Sequence, residues 1–214
     1  MKDKQSNSRY LVKRSRPEAV RREEILDVAV AIFMERGYLG ASVDELVRRV
    51  GGSKTTIYRY FGNKADLFAE IVTRSLAQMM NPLDIIEPAN TDIVDTLSRV
   101  GHAYLDVLLR PESLALYRMV TSESVRFPEL AQIFYERGPG SAIARISHYL
   151  SELNTNKQLC IADSDVAARQ FLSMVRSDIH MKAVLGIAQP GQTERAEVID
   201  WAVTFLLKEY GLAI

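Results

Sequence analysis

Seven prolines punctuate this chain of 214 residues, and their placing restricts it more than any other feature. A proline cannot donate a backbone hydrogen bond or fit a helix interior, so it marks where helices begin or stop. Pro17 opens a first helix, Pro82 and Pro88 bracket a linker, Pro111 and Pro128 each start a helix, and Pro190 with Gly191 separates the last two. Only Pro139, in Gly138-Pro139-Gly140, interrupts a stretch that otherwise reads as helical. Between these marks apolar residues recur three and four apart and almost nowhere alternate as in a half-buried strand. The expected fold is all-α, with about nine helices.

The first of them spans 18–37, with Ile25, Ala29, Ile32 and Phe33 on one face and Gly37 as its stop. Ser42 and Glu45 have capping-box spacing ahead of Val43, Leu46, Val47 and Val50, and Gly51-Gly52 ends that short helix. Ser53 can cap Lys54 to Tyr60, and Asn63 with Asp66 can cap a fourth helix striped by Leu67, Phe68, Ile71, Val72 and Leu76. Five more are expected near 91–109, 111–125, 128–152, 163–187 and 192–210.

An apolar share of 47% with 25% charge is that of a globular chain, which excludes wholesale disorder and a disulfide scaffold. The one cysteine, Cys160, has no intrachain partner. No apolar run approaches the ~18 residues of a membrane span, and the start is polar and basic where a signal peptide has an apolar core, so a cytoplasmic protein away from the membrane is expected. The net charge of zero averages two unlike parts. Through Lys64 there are 14 Lys/Arg against 8 Asp/Glu, and after it 13 against 19. A basic N-terminal third on an acidic remainder suits a polyanionic partner, or else is merely a disordered basic tail.

The segment SVDELVRRVGGSKTTIYRYFGNK reads as two short helices joined by a glycine turn, a helix-turn-helix. Burying Val43, Leu46, Val47 and Val50 against the first helix and against Ile57 and Phe61 leaves the outer face of the second short helix free. That face carries Lys54, Thr55, Thr56, Tyr58, Arg59 and Tyr60 with no acidic residue among them, and it suits a major groove. Ser42, Ser53 and Lys64 stand at helix starts, where phosphates are favoured. Tyr58 and Tyr60 either bond phosphates or simply pack, and Arg48 with Arg49 either join them or form a solvated face. Lys13, Arg14 and Arg16 can reach an adjacent groove as a basic arm does, or stay mobile.

Residues 20–70 resemble the DNA-binding domain of the tetracycline-repressor (TetR) family of one-component transcriptional regulators. The resemblance is carried by Ile25 to Ala29, Phe33, Gly37-Tyr38, Ser42 to Leu46, Val50-Gly51, Ser53-Lys54, Thr56 to Phe61, Asn63-Lys64 and Leu67-Phe68. It departs at Gly52, where a small apolar residue is usual and where glycine should loosen the turn, and at Thr55, where glycine is common. It implies that Lys54, Thr55, Thr56, Tyr58 and Tyr60 face an operator in double-stranded DNA, with Ser42 and Lys64 on phosphates. Tyr104 to Ser113, Leu116 to Arg118 and Glu123 to Leu130 resemble the C-terminal domain of the AefR-like branch. The expected division is a basic tail over 1–17, a DNA-binding domain over 18–62, and a ligand-binding and dimerisation domain over 63–214.

A twofold pair reads two half-sites, so a homodimer is expected through the last two helices. Ala167, Phe171, Met174 and Val175 on one, with Val198, Ile199, Ala202, Phe205 and Leu206 on the other, would form a four-helix bundle or else serve the intrachain core. An effector cavity is expected between the helices near 91, 111, 128 and 163, lined by Tyr104, Tyr117, Val120, Phe134, Phe171 and Met174, unless these are plain core. Its occupant would be small and mostly apolar with one or two polar anchors. The fourth helix, 63–80, is the expected lever between cavity and DNA, the whole acting as a repressor released by its effector.

Enzyme chemistry finds no support. His102, His148 and His180 lack metal-site spacing and read as surface or satisfied core, and no phosphate-binding loop or nucleophile motif occurs. No metal and no cofactor is expected. The competing reading is an architectural or partner-recruiting DNA-binding protein without a ligand response.

Overall fold

The computed structural model describes residues 18–80 and 92–211, and of residues 76–80 the backbone alone. The arm residues Lys13, Arg14 and Arg16, the side chain of Leu76 and the linker prolines lie outside the described residues. Among the described residues eleven helices follow one another: α1 Glu18–Gly40, α2 Val43–Val50, α3 Lys54–Phe61, α4 Lys64–Met80, α5 Ile93–Leu108, α6 Pro111–Glu123, α7 Pro128–Arg137, α8 Pro139–Thr155, α9 Ser164–Arg176, α10 Ile179–Val184 and α11 Gln192–Tyr210. No strand occurs among the described residues, and no described helix is long and apolar enough to cross a membrane.

Helix starts follow the local chemistry. The side chains of Ser42, Ser53, Asp92 and Asp163 accept backbone N–H bonds at the N-caps of α2, α3, α5 and α9, while Pro111, Pro128 and Pro139 open α6, α7 and α8. Asn63 and Asp66 cap α4 reciprocally: Asn63 Oδ1 accepts from the amides of Ala65 and Asp66, and Asp66 accepts from the Asn63 amide. At α2 only half of the capping box forms, because the Glu45 carboxylate turns to Arg49 instead of the cap amide.

Two stretches expected as single helices are each broken in two, which raises nine to eleven. Gly138, at φ −104° and ψ −98°, separates α7 from α8. Ser177, at φ 45°, separates α9 from α10 and holds a left-handed conformation that a non-glycine residue enters only under tertiary constraint. In α1 the helix breaks at Gly37, φ 68°, before one more turn carries Tyr38 back into the core.

Two apolar clusters organise the molecule. One joins α5, α8, α9 and α11 around Leu97, Leu105, Leu150, Phe171 and Ile199. There α5 and α11 approach at Gly101, where a Cβ would lie 2.8 Å from Ile199 Cγ2, so only glycine permits this spacing. The other joins α1–α4 to residues of the larger part: Ile25, Ile32, Phe33, Leu67, Phe68, Ile71 and Val72 pack with Val107, Leu116, Met119, Val120 and Leu130. The N-terminal core thus continues past residue 62 through the first half of α4.

Candidate nucleic-acid interface and effector cavity

The turn between α2 and α3 is held from outside. Arg21 on α1 donates to the carbonyls of Val50 at 3.0 Å and Gly51 at 2.6 Å, satisfying acceptors that the end of α2 leaves free. Gly51 and Gly52 take φ of 77° and 109°, conformations that side chains rarely adopt. Gly52 therefore fits the path of this turn. Leu46, Ile57 and Phe61 are buried, whereas Val43, Val47 and Val50 are half-buried. These contacts hold α3 with its opposite side in solvent.

On that side Ser53, Lys54, Thr55, Tyr58 and Arg59 are exposed, as is Ser42 at the start of α2. Thr56 is half-buried, its hydroxyl 3.0 Å from Ser53 Oγ. Tyr60 is also half-buried, its ring 6.1 Å from Phe61 and under the Arg59 guanidinium at 5.3 Å. The face is less free of acid than α3 alone implies, because Asp44 of α2 pairs with Lys54 Nζ at 2.7 Å. Lys64 lies with Nζ 4.6 Å from the centre of the Tyr38 ring and 3.4 Å from the Leu39 carbonyl, and burial lowers its pKa. Arg49 is drawn away to Glu35 and Glu45, and Arg48 lies 3.7 Å from Glu45.

A cavity of about 610 Å³, its mouth included, opens among α5 to α10. Tyr104, Tyr117 and Phe134 line it, as expected positions brought together in space. Val120, Phe171 and Met174 are not on its wall. Val120 packs toward the DNA-binding unit, Phe171 is sealed in the C-terminal core, and Met174 lines a shallow groove with Trp201 and Phe205 on the outer face of α9 and α11. Sequence reasoning missed Arg176 and His180, which do line the cavity. The break at Ser177 turns α10 so that His180 faces inward, and nothing in the helical period announces it. Among the described residues no α4 side chain lines the cavity, and α4 meets the larger part chiefly through α7.

His180 is 5% exposed and its ring stands edge-on to Tyr117 at 5.0 Å. Burial, with the nearby Arg176 charge, pushes its pKa from 6.5 down to about 4. The unfolded chain therefore takes up this proton first. Its contribution to stability is complete above pH 6.5 and is lost as pH falls toward about 4. Subtracting the melting profile of H180F from that of the parent should leave a residue rising between these limits, with a slope of at most about 1.4 kcal/mol per pH unit. A flat difference would show that His180 titrates normally.

Helices α9 and α11 bury most of the residues expected at a dimer contact. Ala167, Phe171, Val175, Ile199, Ala202 and Leu206 belong to the intrachain core, because the apolar stripes of α9 and α11 face each other. What these helices leave outside is Val166, Trp201 and Phe205, at 43%, 76% and 45% exposure, with Met174 and Val198 half-buried beside them.

A helix-turn-helix unit packed on a larger helical bundle is the architecture of a helix-turn-helix transcriptional regulator. Sequence comparison agrees: residues 25–71 match the profile "Bacterial regulatory proteins, tetR family", and residues 95–212 match "AefR-like transcriptional repressor, C-terminal domain". The chain belongs to the TetR family of transcriptional regulators, with an AefR-like C-terminal domain. It resembles the Flavonoid-responsive Regulator FrrA in structure, with a TM-score of 0.82 and 28% identity over 92% of this chain and all of that one. It is 28% identical over 92 residues to the HTH-type transcriptional activator FasR of Mycolicibacterium smegmatis, covering 43% of this chain and 42% of FasR. It is 35% identical over 79 residues to the HTH-type transcriptional repressor SCO4008 of Streptomyces coelicolor, covering 37% and 38% of the two chains. The alignments thus span under half the length of these two curated relatives.

Proposed function

We propose that this chain is a homodimeric repressor that reads a palindromic operator through α3 of each protomer and is released by a small, mostly apolar effector in the α5–α10 cavity. One observation carries the ligand response. Leu116 and Phe134 line the cavity and also pack against the core of the DNA-binding unit. A molecule entering there moves the wall on which α1 and α4 rest, and an effector that prefers a spacing unfit for two half-sites weakens DNA binding by the same free energy with which DNA opposes the effector. FrrA, described as flavonoid-responsive, supports a small-molecule response, and the AefR-like profile, described as that of a repressor, supports the sign. The cavity favours this reading over an architectural protein, which has no use for one.

In the DNA complex Lys54 and Thr55 face base edges, Ser42, Ser53, Tyr58, Tyr60 and Lys64 face phosphates, and Thr56 and Arg59 border the groove. Lys64→Ala and Tyr60→Ala are expected to weaken all duplexes alike, with Lys64→Ala lowering the salt slope by about 1 per protomer. Lys54→Ala is expected to relax preference at one position of each half-site, by about 1–3 kcal/mol per base pair. Site selection followed by gel-shift titration at several salt concentrations separates these outcomes. An unchanged consensus for Lys54→Ala refutes its reading role. Release of the selected operator by compounds found in a thermal-shift screen tests the effector arm; a ligand that binds and leaves the operator bound refutes it.

A further inference from the structure

Among the described residues the cavity wall carries one charged side chain, Arg176, the last residue of α9. No acidic residue lines the cavity, and no carboxylate among the described residues pairs with Arg176. Arg176 is exposed and shares the cavity lining with Tyr104 and His180, and its charge favours the ionised phenol of Tyr104 and the neutral imidazole of His180. No hydrogen bond of the His180 ring occurs among the described residues, and the ring lines the same cavity as Arg176. The rest of the lining is mainly apolar, with Val107, Leu108, Leu116, Phe134 and Ala142 beside the single small hydroxyl side chain of Ser113.

An unpaired guanidinium at the edge of an apolar chamber is complementary to one kind of guest. Arginine stays charged at any working pH and presents a planar fork that takes a carboxylate through two parallel bonds. A neutral apolar guest fills the chamber but leaves this cation with water alone. We propose that the effector is an amphipathic organic acid, its carboxylate held by Arg176 and His180 and its apolar body lying along Val107, Leu108 and Phe134. This rests on the effector-responsive reading above and adds the charge of the ligand to it.

The test uses the full-length protein and four matched pairs, each a carboxylic acid and its primary amide: benzoic, 2-naphthoic, 4-biphenylcarboxylic and octanoic. Titration calorimetry is expected to show at least one acid binding about tenfold or more tighter than its amide. In R176Q that preference should vanish while the amide keeps its affinity, and in R176K, which retains the charge without the fork, part of it should remain. The proposal is overturned if amides match acids in every pair, if the preference survives R176Q, or if none of the acids binds at millimolar concentration. A neutral compound that binds and releases the operator would overturn the acid yet leave the effector-responsive reading standing. Acids that bind through Arg176 without changing operator affinity would do the reverse.

Discussion

Phe68→Ala is expected to lower the unfolding free energy by about 3–5 kcal/mol, a large part of the roughly 5–15 kcal/mol that holds such a chain folded. Phe68 is wholly buried at the centre of an aromatic group, 5.8 Å from Phe33 and edge-on to Tyr38 at 5.4 Å. Tyr38 in turn meets Phe127, just ahead of α7, at 4.8 Å. These rings bridge the DNA-binding unit and the larger part, so the truncated side chain leaves a hole at the junction and removes contacts on both sides of it. For a chain of this size each kcal/mol moves the melting temperature by about 2–4 °C, so a fall of roughly 6–20 °C is expected by calorimetry at fixed protein concentration. Phe68→Leu, which keeps most of the volume, should lose much less. A shift under about 2 °C for the alanine variant would mean that the junction collapses around the gap and that the rings are not its support.

Charging the outer face of α9 and α11 is expected to produce monomers. Trp201→Asp with Phe205→Asp changes side chains that are 76% and 45% exposed and lie outside the intrachain core, so the protomer should keep its fold. Across a twofold axis the same substitutions bring four new carboxylates onto a self-facing patch where an exposed tryptophan is the natural anchor. Sedimentation at micromolar concentration should move from dimer to monomer. Operator affinity should fall by about two orders of magnitude or more, because one recognition helix without its twin reads a single half-site. If the variant still sediments as a dimer, the interface lies elsewhere on the protomer. If it is monomeric yet binds the operator undiminished, paired half-sites are not how this protein reads DNA.

The helix-turn-helix was legible because its signals are local. Ser42 and Ser53 cap their own helices, Gly51 and Gly52 turn the chain between them, and the periods of Leu46, Ile57 and Phe61 say which sides are buried. Contacts between these helices were not legible in the same way. Asp44 reaches Lys54, Lys64 leans on Tyr38, and Arg21 caps α2 from α1, each across a distance in sequence that periodicity does not encode. The cavity was only half readable. Tyr104, Tyr117 and Phe134 are apolar or aromatic positions on helices whose faces can be inferred, whereas Phe171, with the same pattern, points into the core. A helical stripe identifies the buried side of a helix but not whether protein or empty space lies against it.

From the order of residues alone come the all-α character, the capped helix starts and the exposed basic side of α3, since each depends on neighbours within a few positions. Tertiary packing alone decided that Ser177 would break α9 from α10 and turn His180 inward beside Arg176, that Leu116 and Phe134 would serve two walls at once, and that Trp201 would be left outside. The physical reason is that burial is shared among helices distant in sequence, and which stripe meets which is settled only when all of them compete for the same interior.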